Sequence, residues 1–428
     1  MNFSDHQKRL WQSMIDYANV KDRLIMNLPG RQVPNKMMDR KEFLAYMIGL
    51  PALTTGAHAM SSSRPESRSE SVSHEASSEV QNAKVAAFSD QVADDMGRAL
   101  LGALNYLGDR LGLFKAMSGM EEFTLEQLVT ASGCNARLLE EWLKAMVAAR
   151  YVEYRPDRGQ YRLPPEHAAV LADEESEFFL AGWIETIVPI VLATHDVMKA
   201  FQTGKPVTPD IFHPDLWEGI ERGTAPLYRH QLVQNWLPAM PDVVRKLQMG
   251  GLAADVGCGA ARGLISIAKA FPKAKVFGYD PYGPSIERAR ENARAAGVAD
   301  RAEFVVGGAQ DLPKRKFDLV SAFWVVHHMN QPVKDMTAIR RSLAKNGSFL
   351  IMEDNISANV LENATPWGRF VYACSTLYCL HDSMADNGAG LGTLAEPQAQ
   401  KLAQQAGFGQ FRRLPIEDPV IALYELKA

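Results

Sequence analysis

The spacing of apolar residues changes character along this chain, and each change marks a new piece of structure. Leu252 to Val256 is a short run of small and apolar residues, which predicts a buried parallel strand. Glycines then crowd a turn, Gly257-Cys258-Gly259-Ala260-Ala261-Arg262-Gly263, where the backbone bends tightly without a side chain in the way. Leu264, Ile265, Ile267, Ala268 and Phe271 recur at helical spacing until Pro272, and a second strand over 274–279 runs into Asp280. The alternation continues with a charged helix over 285–296, strands over 302–306, 317–322 and 347–352, and a closing pair over 411–414 and 421–426. This pattern predicts an α/β fold with a seven-stranded sheet.

Upstream the period is helical. Residues 99–117 place Leu100, Leu101, Leu104, Leu107, Leu111 and Phe114 on what reads as the buried side of one helix. Residues 123–128 open a helix behind Thr124, Ser132 to Asn135 make a turn, and 136–149 form a second helix. Two short strands, 151–154 and 160–163, flank a Pro-Asp-Arg-Gly turn, completing the layout of a winged helix-turn-helix. Residues 174–247 are helical and aromatic, with interruptions expected at Pro189, Pro206, Pro209, Pro214 and Pro238. Such a segment can roof a pocket, with Tyr228 and His230 as its polar members. The long connection 355–394, carrying Trp367, Phe370, Tyr372 and Tyr378, reads as a second wall.

Composition narrows the class. The 428 residues are 46% hydrophobic and 22% charged, which fits a globular protein of two or three domains. A net charge of −4 gives no overall attraction to nucleic acid or to anionic lipid. Four cysteines without framework spacing suit a reducing compartment, so the cytoplasm is expected. Residues 1–36 read as peripheral, 38–59 as a signal-like or docking stretch, and 60–78, rich in serine and charge, as a disordered linker. The domains expected are therefore 1–84, a winged-helix dimerisation domain 85–172, a helical lid 173–248 and a ligand-binding domain 249–428.

The glycines run G-x-G-x-x-x-G rather than the G-x-G-x-x-G of dinucleotide sites, and Asp255 precedes them, where a carboxylate suits a cationic ligand. With an acid after the next strand, the pattern resembles class I S-adenosylmethionine-dependent methyltransferases, which carry a Rossmann-like seven-stranded sheet. The resemblance implies S-adenosylmethionine as cofactor. It implies that Asp255, Gly257 and Gly259, with Cys258 between them, line the methionine part, and that Asp280, followed by Pro281, holds the ribose. The loop from 307 to 313 would reach the adenine through Ala309 and Gln310, with Phe323 flanking the site. A winged helix ahead of this domain is similar to the arrangement of small-molecule O-methyltransferases.

Transfer to a hydroxyl or a protonated amine needs a base, and histidine fits that role near neutral pH. Trp324-Val325-Val326-His327 is similar to a family stretch that carries a catalytic histidine, so His327 leads, with His328 and His230 as further candidates. Cys374, Cys379 and His381 have ligand chemistry but lie in an apolar stretch that reads as core, and no metal is expected. Glu140 and Glu141 make the second helix a poor phosphate-facing surface, which favours dimerisation over DNA. The expected function is methyl transfer to a small molecule by a homodimer. The alternatives are a DNA-binding regulator that senses S-adenosylmethionine and, third, a nicotinamide oxidoreductase.

Overall fold

The computed structural model describes residues 68–428. The expectations for 1–36, for 38–59 and for the linker as far as residue 67 lie outside the described residues. The chain falls into two units, Met1–Arg98 and Ala99–Ala428. In the first, all described residues are helical, part of the helix Arg68–Arg110. The linker expectation is therefore corrected for 68–78. Despite its charge, the stretch from Arg68 to Met96 contains no glycine or proline to stop a helix.

In the second unit, the helix expected over 99–117 breaks at Gly112, left-handed at φ 67°, and resumes as Leu113–Ser118. Leu101, Leu104 and Phe114 pack into a core with Met117, Phe123, Leu128, Leu143 and Met146, but Leu100, Leu107 and Leu111 are exposed, against expectation. The fold packs three of the six apolar residues that the periodicity placed on one side into the core and turns the other three outward. The helix-turn-helix follows as expected, with Leu125–Ser132 capped by Thr124 and Gln127, and Ala136–Ala148 capped by Asn135. Its wing pairs β1, Glu153–Arg155, antiparallel to β2, Gln160–Arg162.

Helices Ala181–Leu192 and Asp215–Leu227 then cross closely. A Cβ on Gly182 would stand 2.2 Å from the Gly223 nitrogen, so only glycine permits this approach. Pro189 falls inside the first of these helices rather than interrupting it; the bond it removes is outweighed by close packing against the second. Beyond Pro226 the chain loosens into a π-helix, Tyr228–Trp236.

The sheet contains β3 Leu252–Val256, β4 Lys275–Asp280, β5 Ala302–Val306, β6 Phe317–Phe323, β7 Leu343–Asp354, β8 Gln410–Arg413 and β9 Ile421–Lys427. Their spatial order is β5-β4-β3-β6-β7-β9-β8, parallel throughout β3 to β7, with β9 antiparallel to both neighbours. Alternate residues feed opposite faces. Ala253, Leu319 and Phe323 join a core with Leu264 and Ile286, whereas Ala254, Val320 and Ala322 join one with Met336 and Leu402. β3 has β4 on one side and β6 on the other, so a crevice opens at their carboxyl ends, the topological switch point.

Candidate active site

At that switch point the chain leaves β3 through Gly257 and Gly259, both left-handed. A Cβ on Gly257 would lie 2.5 Å from Val325, so this glycine lets the loop close on the segment after β6. A Cβ on Gly259 would meet no protein atom within 4 Å, so its face is open to a ligand. Asp280 holds the loop in place. One of its carboxylate oxygens accepts the Gly259 N–H and the other the Tyr282 N–H, each at 2.9 Å. Burial pushes its carboxyl up, and these two bonds pull it back. Asp255 is buried in the neighbouring strand with the Ser321 hydroxyl at 2.7 Å. Burial pushes its carboxyl to about 7, Ser321 opposes the shift, and the charge of Asp280 adds to it. Among the described residues neither acid pairs with a lysine or arginine. Two buried carboxyls without a basic partner are a place for a cationic ligand.

The second half of the site follows β6. Trp324 is left-handed at φ 56°, a strained conformation for a tryptophan, and is fixed by a backbone bond to Met352 at 2.8 Å and an indole bond to Asp354 at 3.0 Å. This bend turns the next residues inward. His327 is buried, with Nδ1 2.5 Å from Glu353 Oε2 and its backbone N–H 3.3 Å from Oε1. His328 places Nδ1 2.9 Å from Asp382, and its ring lies 4.4 Å from that of His327 and 5.3 Å from Tyr378. Burial raises the Glu353 carboxyl to about 8 and lowers both imidazoles. Trp183 of the helix Ala181–Leu192 meets Trp324 edge-on at 5.5 Å and Phe370 at 6.4 Å, and Trp217 stacks on Tyr282 at 4.5 Å. Both apolar segments therefore close over the carboxyl edge of the sheet.

The structure thus brings Asp255, Gly257, Gly259, Asp280 and His327 to one edge. Cys258 is buried in the loop and Pro281 is exposed beside it. Ala309 is buried, and Gln310 is bonded to Asp335 at 2.8 Å. Phe323 packs inward on Tyr228 and Trp236. His230 stands apart from the histidine pair, its Nε2 2.8 Å from the Glu175 carbonyl. Sequence reasoning missed Glu353, Ser321, Asp382 and a clasp on the glycine loop. In that clasp Glu221 of the helix Asp215–Leu227 holds Arg262 and Arg288, and Asn292 bridges Glu221 to the Ala260 carbonyl. The one signal available for Glu353 was its place at the end of a predicted strand. A further cluster, Glu185, Asp215 and Glu218, is neutralised by Arg110, with Arg222 also on Glu185, and ties the helices Ala181–Leu192 and Asp215–Leu227 to Arg110.

Residues 99–173 match the family model of an Rv2258c-like winged HTH domain, and residues 251–407 match that of a methyltransferase domain. A ribosomal protein L11 methyltransferase from Paraburkholderia phymatum is 27% identical over 164 residues, 38% of this chain and 49% of the relative. The first two curated relatives are matched over only 23% and 49% of their own length. The fold is similar to that of the solved structure of PigF with SAH, at 18% identity and a TM-score of 0.61, covering 79% of this chain and 99% of that one. It is also similar to NcsB1, an O-methyltransferase from neocarzinostatin biosynthesis in complex with S-adenosyl-L-homocysteine and 1,4-dihydroxy-2-naphthoic acid. There the identity is 17% and the TM-score 0.52, covering 77% and 96% of the two chains. Among the described residues no helix is long and apolar enough to cross a membrane.

Proposed function

Since residues 251–407 form a methyltransferase domain behind a winged helix-turn-helix, we infer that this chain transfers a methyl group from S-adenosylmethionine to a small-molecule acceptor. The observation that carries the reading is the pair of buried acids, Asp255 and Asp280, without basic partners among the described residues, beside the loop where Gly259 leaves an open face. When bound, S-adenosylmethionine supplies a methyl group on a cationic sulfonium. Asp280 would hold the ribose hydroxyls, and Asp255, Gly257, Cys258 and Gly259 the charged methionine end, with Pro281 at the rim. Ala309 and Gln310 would face the adenine. Gln310 must first leave Asp335 to do so.

The acceptor's proton falls to His327. When Glu353 is ionised it accepts the Nδ1–H, which leaves Nε2 as the nitrogen that receives a proton. Trp183, Trp324, Phe370 and Tyr378 exclude water around it and suit an acceptor with an aromatic or apolar face. NcsB1 with its bound naphthoic acid supports an acceptor of that size. His230, on a carbonyl away from this centre, would serve the lid rather than the reaction. Such an enzyme works in the cytoplasm, where its cofactor is made. A DNA-binding role is disfavoured because Arg137 and Lys144 of the second helix spend their charge on Glu141 and Glu140.

Calorimetric titration with S-adenosylmethionine tests the reading. Gly259→Val and Asp280→Ala should each weaken binding at least tenfold, about 1.4 kcal/mol. Unchanged affinity in both variants would overturn it.

A further inference from the structure

The histidine pair has a third member that methyl transfer does not use. Cys379 is a free thiol, and its Sγ and one ring nitrogen from each of His327 and His328 lie within 4.8 Å of one another. In a tetrahedral zinc site, ligand atoms stand roughly 3.3–3.7 Å apart, as bonds of about 2.0–2.3 Å require. That range falls inside the 4.8 Å within which the three atoms stand.

The surroundings suit a cation as well as the ligands do. Each imidazole already has a carboxylate on Nδ1, Glu353 for His327 and Asp382 for His328. With these acids ionised, this is the outer-shell arrangement that fixes a histidine's tautomer and leaves Nε2 with the lone pair that a metal takes. Neither Nε2 has a hydrogen-bond partner among the described residues. Glu353, Asp354 and Asp382 form an acidic shell, and among the described residues no lysine or arginine pairs with any of them. The acidic cluster around Glu185 is different, because guanidinium groups already neutralise it. His381, a ligand candidate from the sequence, is spent: its two nitrogens face the Val207 N–H and the Thr376 carbonyl, each at 3.2 Å.

We propose that His327, His328 and Cys379 bind a thiophilic divalent cation, Zn²⁺ foremost, with a fourth position left open. Imidazole and thiolate together select Zn²⁺ or Co²⁺ over Mg²⁺ and Ca²⁺. Only one consequence rests on the methyl-transfer reading: the cation takes the nitrogen that would act as base, so it inhibits transfer.

The test is spectroscopic and independent of catalysis. Co²⁺ alone is titrated into the full chain after chelator treatment, and the thiolate-to-cobalt charge-transfer band in the near ultraviolet is followed. The expected result is a band that saturates at one equivalent and is lost in Cys379→Ser, a substitution of nearly equal size, but kept in Cys258→Ser and Cys374→Ser. Asp382→Asn should weaken Co²⁺ binding about 10- to 100-fold, the usual effect of removing an outer-shell partner. A full chain that develops no band, or a band that survives in Cys379→Ser, overturns the proposal. Failure of S-adenosylmethionine to bind would leave the band in place.

Discussion

At the scale of single residues, the proposed reaction turns on His327. His327→Ala should lower the single-turnover rate by roughly 10² to 10⁴ while leaving S-adenosylmethionine affinity nearly intact, since in that proposal the ring serves the acceptor and not the cofactor. Full rate in that variant would reduce both histidines to pocket walls. Asp255 predicts a pH dependence of binding. Its carboxyl, raised to about 7 by burial, holds its proton below that pH and is neutral; above it, the anion attracts the cationic ligand. Affinity measured calorimetrically should therefore climb as pH rises from 6 to 8, and Asp255→Asn should flatten the profile. A wild-type profile that is already flat would refute this. Asp255 and Asp280 were legible in the sequence because one local motif holds both. Glu353 was not, because its contact with His327 exists only through the register that sets Phe323 beside Met352 across β6 and β7.

At the scale of elements, the helices Ala181–Leu192 and Asp215–Leu227 have backbones that nearly touch. A Cβ on Gly223 would stand 2.8 Å from the Trp183 ring, the same ring that meets Trp324 at the site. Gly223→Val should therefore cost about 1–3 kcal/mol in denaturant unfolding, through overpacking, and should lower transfer rate by moving Trp183. Wild-type stability in the variant would mean that the crossing is looser than described. Hydrophobic spacing predicted the strands of the sheet and the helices of the winged helix-turn-helix, since burial on one face leaves a period in the sequence. It did not predict that Pro189 stays inside its helix, because close packing on a neighbouring helix outweighs the one bond that proline removes.

At the scale of the molecule, Leu100, Leu107 and Leu111 form an exposed apolar stripe at helical spacing on the N-terminal side of the winged helix. We expect it to be covered by a second copy. Light scattering should give a dimer mass at micromolar concentration, kept when residues 1–84 are deleted and lost in the double variant Leu100→Glu, Leu107→Glu. A monomeric full chain would refute this. The sequence by itself determined the order of domains, the seven strands, the glycine turn and its two acids, because each is written in residues close along the chain. Tertiary structure alone decided which leucines face outward, which carboxylate holds His327, and that Cys379 joins the histidines. Those facts depend on pairings between segments tens of residues apart, which local spacing does not encode.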